Sequence, residues 1–213
     1  MKSLASVDMH PNLIQLFGVV ETSESIHVIM EFVHGGDLFD NICEEVYTEK
    51  DAQIVMASLL SALQFLHSKK TVHRDLKPEN ILCNLSRVDI KLADFGMSNW
   101  LPDGDRPQLR SQCGTYVFMA PEMLQRHPYN ESVDVWSAGI LMYILMSGSF
   151  PFFAEDPTEF TEIILDASEL KFLDDEWGAT SETPKNLIRK ILEPDPRKRP
   201  TIHDILADPW FTS

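Results

Sequence analysis

Hydrophobic positions along the chain change period several times, and each change predicts an element. Residues 13–20 and 26–33 are short, almost unbroken apolar runs, with the polar Glu21-Thr22-Ser23-Glu24-Ser25 between them. They predict two buried strands joined by a turn. His10-Pro11-Asn12 punctuates the chain just ahead of the first run. Two strands cover too little apolar surface to stand alone as a sheet in water. The expectation is therefore that the sequence opens in the middle of a larger sheet. Gly35-Gly36-Asp37 then reads as a turn ending in a helix cap.

Thr48 followed by Glu49 and Asp51 has the form of an N-cap and an acidic first turn. Ile54, Val55, Leu59, Leu60, Leu63 and Leu66 continue at helical spacing and predict a helix apolar on most faces, hence one in the core. His67, near its end, reads as a partner for the helix dipole. Ile81-Leu82 predicts a short strand, and residues 88–93 alternate as a strand leading into Asp94. Residues 96–114 are polar and irregular, with Pro102, Gly104 and Pro107 among them. A loop of that length inside a compact domain is usually functional. Residues 132–146 are apolar on every side, the pattern of a fully buried helix. Pro151 and Pro157 bracket a loop, further helices are predicted over 158–167, 184–192 and 202–207, and residues 195–201 form a turn. The fold class is α+β: a mainly helical lobe over residues 34–213 attached to a two-stranded remnant over residues 1–33.

Composition narrows the function. At 44% hydrophobic and 24% charged residues, the chain is an ordinary globular one with room for a sizeable core. Lys and Arg number 18 against 33 Asp and Glu, a net charge of −15. That excess argues against nucleic acid as a partner and favours basic partners or simple solubility. Cys43, Cys83 and Cys113 are too few and too scattered for a disulfide framework or a zinc site, so the expected compartment is reducing: cytoplasmic, with the nucleus also open to it. No run of eighteen apolar residues predicts a membrane span, and Met1-Lys2-Ser3 is not followed by a signal-peptide apolar core.

Candidate chemistry concentrates in Val72-His73-Arg74-Asp75-Leu76-Lys77-Pro78-Glu79-Asn80, with Asp94-Phe95-Gly96 and Ala120-Pro121-Glu122 downstream. An ionised Asp75 is acceptor-only and suits the capture of a hydroxyl proton. Asn80 and Asp94 offer oxygen, the ligand a hard cation prefers. The stretch between Asp75 and Asp94 has room for a strand, a turn and a returning strand, which would bring both acids to one cleft.

In this order, the three motifs resemble the catalytic loop, the metal-binding motif and the activation-segment end of eukaryotic protein kinases. The resemblance runs from His10 to Phe211. Asp134-Val135-Trp136-Ser137-Ala138-Gly139, Gly148-Ser149-Phe150-Pro151-Phe152 and Asp208-Pro209-Trp210-Phe211 continue it. Asp-Leu-Lys-Pro-Glu-Asn and Cys113-Gly114-Thr115 are similar to the serine/threonine-specific type. The whole looks most like the calcium/calmodulin-dependent group and its AMP-regulated relatives. No basic amphipathic segment follows the last helix within these 213 residues, so the sequence alone gives calcium regulation no support.

The resemblance implies a set of roles. Substrates would be ATP, with Mg²⁺ as cofactor, and Ser or Thr hydroxyls of proteins. Asp75 would orient the substrate hydroxyl, Lys77 would reach the γ-phosphate, and Asn80 and Asp94 would hold the metal. Met30 would stand at the gatekeeper position, and Glu31-Phe32-Val33 would form the hinge whose backbone meets adenine. Asp37 would accept from ribose, with Glu79 and Leu82 completing the nucleotide site. Arg74 would receive a phosphate on Ser111, placed by an upstream kinase, and Thr115 would belong to the same regulated segment. His73 and Phe95 would stack between lobes with Leu16, Glu122 would pair with Arg199, and Asp134 would accept backbone N–H groups of the catalytic loop.

The family pattern also calls for Gly-x-Gly-x-x-Gly over the phosphates, a lysine on the third strand and a helix glutamate paired with it. None of these is recognisable within the 213 residues. Three readings follow: part of an active kinase, a kinase-like module that binds without phosphorylating, or a subunit completed by a separate lobe.

Overall fold

The computed structural model describes residues 9–102 and 109–212. In chain order the elements are β1 (Leu16–Glu21), β2 (Ile26–Met30), α1 (Leu38–Glu44), α2 (Glu49–Ser68), β3 (Thr71–Val72), β4 (Ile81–Cys83), β5 (Ile90–Leu92) and β6 (Asn99–Trp100). Then come α3 (Pro121–Leu124), α4 (Ser132–Ser147), α5 (Pro157–Leu165), α6 (Asp174–Trp177), α7 (Glu182–Ile191), α8 (Ile202–Leu206) and α9 (Pro209–Thr212). The strands form three separate antiparallel pairs: β1 with β2, β3 with β6, and β4 with β5. The α+β class expected from the sequence is the class observed.

Helix α4 is the centre of the helical part. All fourteen residues from Val133 to Met146 are buried. At Gly139 an added Cβ would come within 2.6 Å of Ile191 and 2.8 Å of Leu192, so the missing side chain is what lets α7 approach the α4 backbone. Helix α2 starts at the expected cap, with Thr48 accepting from the Asp51 N–H. It buries Val55, Leu59, Leu60, Leu63 and Leu66 with Ala52, Met56 and Ala62. Each large side chain so buried contributes roughly 1.5–3 kcal/mol. The last turn of the chain closes onto the start of α2: Trp210 Nε1 donates to Glu49, and Gln53 donates to the Trp210 carbonyl.

Two expectations need correction. The two N-terminal apolar runs are not buried strands. Every residue of β2 is exposed, and Val19, Val20, Ile26, Val28 and Ile29 are among the exposed large hydrophobics. The physical reason is that a lone two-stranded ribbon leaves both faces bare among the described residues. Leu13 and Ile14 are buried, yet they lie outside β1, where Leu13 bridges Leu92 and Ile14 N–H donates to the Leu92 carbonyl. The loop expected between Pro151 and Pro157 is present, and Pro157 itself opens α5, where its missing N–H costs nothing and Asp156 caps. Second, the irregular loop after Asp94 contains β6, whose Asn99 and Trp100 pair with Val72 and Thr71. Gly104 and Pro107 of that loop lie outside the described residues.

Candidate active site

The catalytic-loop stretch is held from below by α4. The Asp134 carboxylate, fully buried, accepts from the backbone N–H groups of His73 at 2.9 Å and Arg74 at 2.8 Å. His67 Nε2 lies 2.8 Å from the same carboxylate. Burial pushes the Asp134 carboxyl up, but the hydrogen bond and charge of His67 and the Arg74 N–H outweigh it and hold it below its ordinary value. The clamp sets Arg74 at φ 70°, a left-handed conformation that turns the chain toward Asp75.

Asp75 is buried and hydrogen-bonded on both oxygens. Oδ1 accepts from the Thr115 N–H at 2.9 Å and its hydroxyl at 3.0 Å. Oδ2 accepts from Asn80 Nδ2 at 3.1 Å and lies 3.5 Å from Lys77 Nζ. Lys77 Nζ also donates to the Thr115 hydroxyl at 3.0 Å. Thr115 can approach because Gly114 precedes it. Gly114 has φ +98°, and a Cβ there would stand 2.4 Å from the Arg74 carbonyl oxygen.

Asn80 donates to the Asp75 backbone carbonyl as well, at 2.8 Å, which leaves its side-chain oxygen without a protein donor among the described residues. The β4–β5 hairpin then carries the chain back, with Ile81 opposite Leu92. At its open end the Ala93 N–H donates to the Asn80 carbonyl, and His73 Nε2 donates to the Ala93 carbonyl. Asp94 is the next residue, at φ 55° and exposed. Its Oδ1 accepts from Gly96 N–H at 3.1 Å, and its Oδ2 carries no protein donor among the described residues. The structure thus brings Asp75, Lys77, Asn80, Thr115 and the backbone of Asp94 to one place. An amide oxygen and one carboxylate oxygen on adjoining strand ends, neither with a protein donor among the described residues, fit a hard divalent cation.

The other expected residues fall as follows. Phe95 packs edge-on against His73 at 5.2 Å, whereas Leu16 lies in β1 opposite Met30. Glu122 and Arg199 form two parallel hydrogen bonds of 2.9 and 3.1 Å with both side chains buried. Asp37 caps α1 through the Asp40 N–H and bridges to Leu82. Glu79 is exposed on the turn between Lys77 and Asn80. Glu31 is engaged through its side chain: it accepts from Lys91 at 3.0 Å and from the Gln15 N–H at 2.7 Å, tying residue 31 to β5. Met30 and Val33 flank it, Met30 half exposed.

Arg74 reaches the far side of the loop. It donates to the Met97 carbonyl at 2.6 Å, to Ser111 Oγ at 2.7 Å and to the Tyr129 hydroxyl at 3.2 Å. Sequence reasoning missed Tyr129, which lies in a stretch with no periodicity, and it assigned His67 to its own helix end. Only the contact across the fold reveals either.

The profile of the protein kinase domain matches residues 1–211. The chain belongs to the protein kinase family. It is 41% identical over 206 residues to the calcium/calmodulin-dependent protein kinase type I of Schizosaccharomyces pombe, covering 95% of this chain and 61% of that protein. It is 41% identical over 208 residues to the serine/threonine-protein kinase DCLK3 of Mus musculus, 95% of this chain and 26% of that protein. With a probable myosin light chain kinase of Dictyostelium discoideum it shares 39% over 212 residues, 99% of this chain and 44% of the relative. The chain therefore spans less than two thirds of each of these kinases. By family it is a protein kinase, and the relatives it matches are named as calcium/calmodulin-dependent, serine/threonine and myosin light chain kinases. Among the described residues no helix is long and apolar enough to cross a membrane.

Proposed function

We propose that this chain carries the catalytic loop and substrate-facing half of a kinase that moves the γ-phosphoryl group of ATP to Ser or Thr hydroxyls of proteins. The observation that carries the reading is the setting of Asp75, held by Thr115 and Asn80 with Lys77 alongside. Phosphoryl transfer needs positioning and charge neutralisation more than covalent chemistry. Asp75 accepts the proton of the substrate hydroxyl as its oxygen bonds to phosphorus and the bond to the departing ADP oxygen breaks. Lys77 steadies the transferred group with its charge. Thr115 fixes the Asp75 carboxylate and lines the place of the acceptor residue. Asn80 and Asp94 would hold Mg²⁺. The metal supplies charge neutralisation on the phosphates when bound. Met30, the backbone of Glu31 and Val33, Asp37, Glu79 and Leu82 would receive the nucleotide. A phosphate on Ser111, set by an upstream kinase, would pair with Arg74 and order the segment up to Thr115.

For the 213-residue polypeptide by itself we propose turnover orders of magnitude below the ~1–100 s⁻¹ of kinases, because no glycine-rich phosphate loop occurs among its residues. The alternative of a kinase-like module that binds without phosphorylating rests on that same sequence feature and on the exposed apolar ribbon β1–β2. The test is phosphoryl transfer from Mg-ATP to Ser/Thr peptides by the 213-residue chain and by the same chain within a complete kinase domain. In the complete domain, Asp75→Asn is expected to lower kcat by about 10²–10⁴. Equal turnover of Asp75→Asn and the unsubstituted domain would remove Asp75 from the chemistry. No transfer by the unsubstituted complete domain would leave the binding module.

A further inference from the structure

Tyr129 stands where the far arm of the activation segment meets the catalytic loop. Its backbone pairs with Leu109 in both directions: Tyr129 N–H donates at 2.9 Å, and Leu109 N–H donates back at 3.2 Å. The ring is buried, at 2% exposure. Its hydroxyl accepts from Arg74 Nη1 at 3.2 Å and donates to the Ser111 backbone carbonyl at 2.7 Å. It also lies 3.4 Å from Ser111 Oγ, which itself accepts from Arg74 at 2.7 Å. One guanidinium nitrogen and one phenol hydroxyl thus converge on an exposed serine hydroxyl from a buried base.

A phosphoryl group on that serine carries about −1.5 to −2 charges and three strong acceptor oxygens. Arg74 has spent Nε on Met97, and among the described residues Nη2 has no protein partner. Its fork therefore offers Nη1 and Nη2 to two of the oxygens. A third donor is needed, and the Tyr129 hydroxyl is the group within reach. Turning its O–H from the Ser111 carbonyl to the phosphate exchanges one hydrogen bond for a stronger, charge-assisted one. We infer that Tyr129 is the second phosphate-binding side chain of this segment, completing with Arg74 a receptor for a phosphoryl group on Ser111. The inference rests on the proposal that Ser111 is the modified residue.

The experiment uses the full chain with phosphoserine incorporated at position 111, read by ³¹P NMR. Three donors from two side chains hold the phosphate as its dianion and depress its second pKa below the ~6 of a free phosphoserine. Tyr129→Phe removes the hydroxyl and keeps the ring and the backbone pairing with Leu109. It is expected to raise that pKa by roughly half a unit, with Arg74→Gln raising it further. Hydrogen exchange at the Leu109 N–H is expected to be unchanged in Tyr129→Phe. An unmoved phosphate pKa in Tyr129→Phe, with Arg74→Gln still shifting it, overturns the role of Tyr129 and leaves Ser111 as the modified site. A pKa unmoved by either substitution overturns both readings. A raised pKa accompanied by lost protection at Leu109 also overturns the inference, since the hydroxyl would then act through the position of the loop.

Discussion

His67 Nε2 and Asp134 Oδ2 lie 2.8 Å apart, joining the end of α2 to the start of α4 directly beneath the catalytic loop. The contact explains how one buried carboxylate can accept from His73 N–H and Arg74 N–H and still be stable in a dry environment. Its charge is met by three donors, which is the condition for keeping a buried ion.

Asp134→Asn removes the charge and replaces one acceptor oxygen by a donor that faces either a backbone N–H or His67. The expected cost is about 2–4 kcal/mol, because hydrogen bonds to charged groups are among the stronger ones and the donors left behind are buried. The pH dependence gives an independent reading. The Asp134 carboxyl is held below its ordinary 3.8, so the unfolded chain takes up this proton first as pH falls. The stabilisation is complete above about pH 4 and is lost as pH drops through the folded value. Denaturant titrations across this range should show that acid-side loss in the wild-type chain and a smaller one in Asp134→Asn.

The Glu122–Arg199 pair predicts a different signature. Arg199 also donates to the carbonyls of Ser132 and Glu193 and stacks 5.2 Å over Trp136, so its charge is placed whether or not Glu122 is present. Glu122→Gln therefore strands a buried cation and should cost about 3–5 kcal/mol. Glu122→Gln with Arg199→Met should cost less than the sum of the two single changes, by a coupling of about 1 kcal/mol or more in a double-mutant cycle. Additive costs would mean that the two side chains do not share an interaction.

These two pairs differ in how far the sequence could reveal them. Glu122 and Arg199 lie far apart in the chain, and only the resemblance of the surrounding motifs paired them. Asp134 was assigned its backbone donors in the same way. The buried helix around it was legible from its all-round apolar pattern, and α2 from its cap and stripe. His67 was not, because a histidine at a helix end looks the same whether it meets the dipole or a carboxylate on another helix. The ribbon β1–β2 misled for the opposite reason. An apolar run signals a strand that is built to be covered, and whether it is covered depends on neighbours the pattern does not contain. Short pairings such as β3–β6, two residues on each side, carry no period at all. In the site itself, the order of Asp75, Asn80 and Asp94 was readable, whereas the Thr115 and Tyr129 contacts arise from a loop that folds back.

Thr115 offers the sharpest test of the site. Its N–H and hydroxyl both serve Asp75 Oδ1, and its oxygen accepts from Lys77. Thr115→Val keeps the shape and the N–H but removes the hydroxyl, leaving Lys77 without that acceptor and free to swing onto Asp75. Within a complete kinase domain we expect kcat to fall roughly ten- to a hundred-fold with little change in KM for ATP, a loss of positioning rather than of nucleotide binding. Thr115→Ser should retain most of the activity. A matching loss in both variants would mean that the hydroxyl, which Thr115→Ser retains, is not what sets the rate.

His73 makes the last prediction, and it is one about protonation. Its Nε2 donates to the Ala93 carbonyl at 3.0 Å, so Nδ1 is the bare nitrogen, buried and without a donor among the described residues. Protonating Nδ1 would bury a charge and an N–H with nothing to accept it. Burial accordingly lowers the pKa of His73 below its ordinary 6.5, against the opposing pull of Asp134, the Ala93 carbonyl, Asp75 and Asp94. Below pH 6.5 the unfolded chain binds this proton and the folded chain does not. Stability therefore falls as pH drops from about 6.5 toward the lowered folded value, at up to ~1.4 kcal/mol per pH unit. His10 is shifted in the same direction, by its burial and by Lys91, so the measurement is made in a His10→Asn background. The denaturation midpoint should still decline between pH 7 and pH 5, well above the window in which Asp134 acts. The His73 ring should keep the chemical shifts of the neutral Nε2–H tautomer throughout. A ring that titrates near pH 6.5 in the folded protein would mean that an acceptor reaches Nδ1.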